Sequence, residues 1–227
     1  MCFSASASFV SGGVLSALGV LAIKKTKFPH EKMIASVPFI FGIQQIIEGF
    51  IWINSNEIQT PSGIFIFGPK GLTYAYSFFA LILWPVILPL SVGLIELKRR
   101  KRILTLIIPA AITSLYFIWV LFKYPLYSQI LESHIQYHFT IHPSPFIVIT
   151  YCLATVLPCF LSCHRWIVGV GGVLAVALLF SHIYFDDAFA SIWCFFSALL
   201  SAFIYIHFAV RERTHQRALP KDALVRV

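Results

Sequence analysis

Seven apolar stretches follow one another along the chain, joined by short polar connections: residues 3–23, 33–53, 72–94, 103–122, 146–163, 166–184 and 188–210. A helix needs about 20 consecutive apolar residues to cross the hydrocarbon of a bilayer, and most of these stretches are that long. Composition agrees. Hydrophobic residues make up 59% of the chain and charged residues 11%, whereas soluble domains run near 45–50% and 25%. A chain of this size still exposes much of its surface, so part of its solvent has to be lipid. The first stretch carries no charge before Lys24 and its apolar run is long. It therefore reads as a retained span, since a signal peptide opens on a charged segment. The expectation is an all-α, polytopic membrane helix bundle of seven transmembrane helices. Residues 1–210 form one bundle and 211–227 a basic cytoplasmic tail. The fifth and sixth stretches are short and separated only by His164 and Arg165, which requires a tight antiparallel turn.

Orientation follows from the basic residues. Fifteen of the 17 Lys and Arg fall in the connections after the first, third and fifth stretches and in the tail; only Lys70 and Lys123 lie on the other side. Positive charge accumulates on the cytoplasmic side of membrane helices, so the N-terminus is expected outside and the C-terminus inside. The net charge of +8 is then a membrane signature, and nucleic acid is not an expected partner. Membrane lipids are, together with a second copy of the chain or another membrane protein.

Ser4, Ser8, Gly12 and Ser16 recur every fourth residue in the first stretch, a spacing that lets helix backbones approach closely. Gly169 and Gly172, and Ser197 and Ser201, read the same way. Trp84-Pro85, near the middle of the third stretch, is the expected kink, because an interior proline removes a backbone donor. The five cysteines show no metal-type pairing. Tyr127, Ile130, Leu131, His134 and His138 share one face at helical spacing, so a short interfacial helix is expected over about 126–139. Turn signals fill residues 60–63 and 68–71, marking an outer loop.

The residues most costly to place in lipid locate a candidate site. Gln44, Gln45 and Glu48 lie in the second stretch, and their spacing lets all three face the bundle interior. Intramembrane ionisable groups are rare and tend to mark sites. With the expected orientation Glu48, Tyr76, His182, Asp186, Cys194 and the histidines of 126–139 all fall in the outer half. An outward-facing polar pocket for a small ligand, a lipid head group or a metal is therefore expected. His134 and His138, four apart on a helix, would offer two imidazoles to a transition metal such as zinc, with His182 and Asp186 completing the set and Glu48 acting as general base. That gives an alternative reading as a membrane-embedded, metal-dependent lipid hydrolase. A second alternative is a proton-coupled transporter, but polar residues are sparse in the inner half and no internal repeat is visible. Whether the protein is an enzyme stays open at this level.

Met1-Cys2-Phe3-Ser4-Ala5, the Gln44-Gln45-x-x-Glu48-Gly49 run, Trp52, Trp84-Pro85, His134-Ile135-x-Tyr137 and Trp193-Cys194-Phe195 together resemble an uncharacterised family of bacterial multi-pass membrane proteins, over nearly the whole chain. The resemblance implies a bacterial inner (cytoplasmic) membrane location and supplies no activity. It directs attention to Glu48, His134 and Cys194, within a candidate ligand-binding set of Gln44, Gln45, Glu48, Tyr76, His134, Tyr137 and Cys194. The topology also loosely resembles the alkaline ceramidase and progestin-receptor-like zinc hydrolases. Those use paired histidines in their last span, where this chain offers only His207, so their zinc site is not carried over.

Overall fold

The computed structural model describes residues 4–54, 69–96, 98–131, 134–184 and 189–218. Side chains at 69, 131, 182, 184, 189–192, 194, 199 and 212–218 lie outside that description. The chain is mostly helical: α1 Ala5–Lys24, a 3-10 turn Pro29–Glu31, α2 Lys32–Ala35, α3 Val37–Asn54, α4 Pro69–Ser77, a π-helical segment Phe78–Leu83, α5 Trp84–Ile95, α6 Arg100–Leu104 and α7 Ile107–Lys123. Strands β1 Leu126–Leu131 and β2 His134–Phe139 follow, then α8 Pro145–Thr155, α9 Leu157–Leu161, α10 Arg165–Tyr184 and α11 Phe189–Ala218. Among the described residues four helices are long and apolar enough to cross a membrane: Ala5–Lys24, Pro29–Asn54, Lys70–Ile95 and Arg100–Lys123. The apolar helices Pro145–Thr155, Arg165–Ser181 and Phe195–Arg211 are shorter. Large aliphatic and aromatic side chains such as Val10, Leu115, Phe146, Val176 and Ile206 stand exposed around the bundle, as a lipid-facing surface requires.

Helix α1 starts where the Ser4 hydroxyl accepts the Ala7 N–H at 3.2 Å, a serine N-cap that satisfies one of the free amides of the first turn. It packs antiparallel on α3 along a seam of small residues. Ser8, Gly12, Leu15, Gly19 and Ala22 are buried on one side, and Val10, Val14 and Leu21 are exposed on the other. The backbones come so close that a Cβ at Gly42 would stand 2.8 Å from the Gly12 carbonyl oxygen and 2.7 Å from the Ser16 nitrogen. The expected four-residue stripe thus makes this contact, shifted in part onto Gly19, which meets the backbone of Phe39.

At the place where the kink is expected, the third stretch changes from α to π winding just before Pro85. The Trp84 N–H donates to the Phe79 carbonyl, five residues back, so the helix is wide there. In that register the Ala80 carbonyl would be paired with residue 85, which is proline and has no N–H. Tyr151 Oη donates to the Ala80 oxygen instead, at 3.0 Å. The Ser114 hydroxyl donates to the Ile82 oxygen at 3.0 Å. A π-bulge that frees carbonyls for neighbouring helices fits the use such bulges commonly have.

One end of the bundle is basic and tied by carboxylates. Glu31 accepts the Lys27 N–H at 2.9 Å and makes a bidentate pair with the guanidinium of Arg211 on α11. Glu96, just past α5, accepts the Ser162 hydroxyl at 2.5 Å and the Cys163 N–H at 2.6 Å, while His164 stands 4.0 Å away. These contacts hold the tight turn between α9 and α10. The fifth stretch is broken at Val156, between α8 and α9, one turn before that tie.

The other end carries the one departure from an all-helical reading among the described residues. Residues 126–139 do not form the expected interfacial helix. They make an antiparallel β-hairpin that pairs Leu126 with Phe139, Ser128 with Tyr137 and Ile130 with Ile135. The apolar positions satisfy a period of two as well as a period of 3.6. The strand period buries Leu126, Ser128, Ile135 and Tyr137 and puts the half-buried His134 and His138 on the opposite face of their strand, whereas the helix would have placed both imidazoles on the apolar face. Isoleucine and the aromatics also favour strand. The hairpin docks on α4 through Thr73 Oγ1 to Ser128 Oγ at 2.8 Å, Tyr74 Oη accepting the Leu126 N–H at 3.2 Å, and Tyr76 stacked on Tyr137 at 4.7 Å.

Two predictions follow from this packing. Gly42→Leu should destabilise the folded protein by about 1–3 kcal/mol or more, because overpacking forces the backbones apart. Gly13→Ala, where a Cβ meets nothing within 4 Å, should be neutral; thermal unfolding in detergent reads both. The second concerns Glu96. Burial raises its pKa, but the hydrogen bonds from Ser162 and Cys163 and the nearby His164 outweigh that and hold it below the ordinary 4.5. Its contribution to stability is thus fully present above that value and lost as pH falls through the lowered one. Wild type should lose thermal stability relative to Glu96→Gln on acidification below about pH 4.5, and the two should show parallel pH dependence above pH 6.

Candidate functional site

Helix α3 carries Gln44, Gln45 and Glu48 into the protein with no solvent exposure at all. Adjacent residues on a helix point about 100° apart, so the two glutamines reach different neighbours. On one side Trp84 Nε1 donates to Gln44 Oε1 at 2.6 Å, and the indole stacks on Phe41 at 3.7 Å. On the other, Ser11 Oγ of α1 donates to Gln45 Oε1 at 3.3 Å. Both amide oxygens are thereby satisfied and both amides oriented. Their nitrogens, Gln44 Nε2 and Gln45 Nε2, are buried and have no hydrogen-bond partner among the described residues. Glu48 lies one turn further along α3 on the same side. The antiparallel α1–α3 register sets Ser8 at about its level, and the Ser8 hydroxyl is likewise buried and without a partner among the described residues.

An amide donor left unpaired in a buried site costs about 1–3 kcal/mol. Two such amides and a hydroxyl, on α3 and the facing stretch of α1 within about two turns of a buried carboxyl group, make this the polar region of an apolar bundle. What such a region does best is offer N–H and O–H groups to the acceptor oxygens of a guest, with a carboxyl group that can exchange a proton with it.

The remaining candidate residues divide. Tyr76 and Tyr137 are buried and stacked on each other at the hairpin end. The antiparallel contact of Trp84 with Gln44 puts Tyr76 roughly two turns beyond Gln44, on the same side of the bundle as Glu48. His134 and His138 come no closer than their strand allows. Four residues of strand extend about 13 Å, so the two imidazoles cannot bind one ion as they could on a helix. His138 instead stacks on Tyr127 at 4.7 Å. His182 and Cys194 have helical backbones on α10 and α11, but their side chains lie outside the described residues, as do Asp186, Cys2 and the loop 55–68. Among the described residues no three His, Cys, Asp or Glu are gathered as a metal site.

The partners of the glutamines are not legible in the sequence. Trp84 stands out there as a kink and not as the donor to Gln44. Ser11 lies off the four-residue stripe. Tyr151, which bridges the Ala80 oxygen and Trp193 Nε1 (3.2 Å), carries no local signal. Nor did the sequence show a cavity of about 60 Å³ that extends from Trp84 and Trp193 toward the basic end, between α3, α5, α8, α10 and α11. That cavity is not lined by Gln44, Gln45 or Glu48. Trp84 borders it with its ring and meets the polar cluster with its nitrogen.

The Trp84–Gln44 pair gives a direct test. Trp84→Phe should cost about 1–3 kcal/mol, because it strands the Gln44 oxygen. Gln44→Met in that background should recover part of the loss, and a double-mutant cycle on thermal unfolding should return a coupling of at least about 0.5 kcal/mol.

The chain belongs to DUF6629, a family of unknown function, whose match covers residues 1–220. No curated protein and no solved structure matches it.

Proposed function

We propose that this DUF6629 member is a seven-span protein of a bacterial inner membrane, with its N-terminus outside. In this reading the cluster of Gln44, Gln45 and Glu48 binds a small polar molecule or lipid head group reached from the outer side. The observation that carries it is the pair of buried glutamine nitrogens, each held in place through its own amide oxygen and neither donating to any described group. A cluster kept only for packing would be expected to close its hydrogen bonds internally. Acceptor-rich guests, carboxylates and phosphate or sugar oxygens, fit two N–H donors and a hydroxyl. Glu48 is the group that would exchange a proton with such a guest. The three shorter apolar helices and the basic residues gathered at one end support the seven-span, positive-inside arrangement. A catalytic metal is not part of the proposal, since the strand separates His134 from His138.

Wild-type protein purified gently from its membrane should release a polar compound or lipid on denaturation, identified by mass spectrometry, that is missing from Gln45→Leu prepared in parallel. If neither releases anything and Gln45→Leu unfolds at an equal or higher temperature, the amides are packing groups and the site reading fails. Orientation is tested in a cysteine-free background: an impermeant thiol reagent on intact cells should label Glu57→Cys and spare Lys101→Cys. The reverse pattern would overturn both the topology and outward access to the site.

A further inference from the structure

The cavity bordered by Trp84, Tyr151, Trp166, Trp193 and Ser197 is separate from the polar cluster in its chemistry. Its volume of about 60 Å³ is several times the roughly 10–15 Å³ that admits one water. Yet the lining offers water almost nothing. Trp84 Nε1 is committed to Gln44 and Trp193 Nε1 to Tyr151. The hydroxyls of Ser91, Thr155 and Ser201 donate to carbonyls of their own helices, Leu88, Tyr151 and Ala198. Only the Ser197 hydroxyl is buried without a partner among the described residues. Those hydroxyls can still accept, but the lining is almost wholly apolar, and a buried water makes about three hydrogen bonds, so the space favours an apolar guest.

The surroundings supply a different guest. The helices that wall the cavity turn exposed apolar side chains outward at the same levels: Val173 and Val176 on α10, Ile149 on α8, Phe203 and Ile206 on α11. These faces are those of a protein in hydrocarbon, so the molecules next to the cavity wall are lipid chains. We propose that the cavity receives the end of one acyl chain of a bilayer lipid, its last few carbons lying against the indoles of Trp84 and Trp193. A chain needs no hydrogen bonds, and in the cavity it makes the dispersion contacts that an empty space forfeits. It would touch the ring whose nitrogen orients Gln44, so the lipid site and the polar cluster share one side chain.

The test uses quenching on contact by bromine. Trp84 and Trp193 are 2% and 4% exposed and are shielded by protein from the bulk bilayer, whereas Trp119 is 46% exposed and faces lipid. The full chain with Trp52, Trp119 and Trp166 changed to Phe is reconstituted into vesicles of phosphatidylcholine brominated on its acyl chains, and into unbrominated vesicles. A variant retaining only Trp119 serves as the lipid-facing reference. The expected result is that Trp84/Trp193 emission is quenched as strongly as that of Trp119. Filling the cavity with Ser197→Leu, or independently Ser201→Leu, should restore the emission without changing the Trp119 reference. Equal emission in brominated and plain vesicles would overturn the proposal. So would quenching that persists in the Leu variants when circular dichroism shows them folded.

Discussion

A polar group among apolar helices has no water to turn to, so the protein has to supply its partner, and the tertiary structure is organised around doing so. The clearest case starts with a proline. Pro85 deprives the third span of a donor, the helix widens into a π segment, and the released Ala80 oxygen is taken by Tyr151. Tyr151 in turn accepts from Trp193, so one backbone defect in α5 fixes the positions of α8 and α11. Ser114 does the same for α7 through the Ile82 oxygen, and Thr113 donates to Thr150 at 2.8 Å to join α7 to α8. Each of these contacts is worth little alone, about 0.5–1.5 kcal/mol net, but together they leave the helices few ways to slide.

The α1–α3 seam works by the opposite means. Dispersion contacts between backbones that meet at Gly12, Gly19 and Gly42 hold it together, and they permit no side chain between them. Because α1 sits so close, Ser11 reaches Gln45, while the other flank of α3 presents Gln44 to Trp84. Two consecutive glutamines are thus fixed by two different helices. The amide nitrogens that remain have no partner among the described residues, which is why a guest with acceptor oxygens is the reading the cluster supports.

The two ends of the bundle differ in kind. The basic end is closed by Glu31 with Arg211 and by Glu96 with the turn at Ser162 and Cys163. Those two carboxylates neutralise charge where many lysines and arginines gather. The hairpin end is held by hydroxyl pairs and stacked tyrosines, without an ion pair among the described residues. A two-stranded hairpin leaves unpaired backbone groups on its edges, which hydrocarbon could not satisfy, so under the proposed membrane reading it would lie at a surface. Tyr76 and Tyr137 are buried and stacked there, at the end of the bundle toward which Glu48 lies.

Sequence alone determined the helical, membrane-type character of the chain, the seam on the first helix, the position of the irregular winding beside Pro85 and the burial of Gln44, Gln45 and Glu48. All four follow from local pattern: apolar run length, small residues at every fourth place, a proline in mid-span, and polar groups three and four apart. Tertiary structure decided the rest. The hairpin over 126–139 took the place of a helix because both periods fit the same residues, and docking against Thr73 and Tyr76 rewards the strand face. That choice separated His134 from His138, which sequence spacing had joined. Trp84 as the donor to Gln44, Tyr151 as the bridge and the cavity beside them are contacts between residues 40 or more apart. Hydrogen bonding across helices depends on their rotation and depth relative to each other. No single helix encodes these, because the packing of all of them sets them at once.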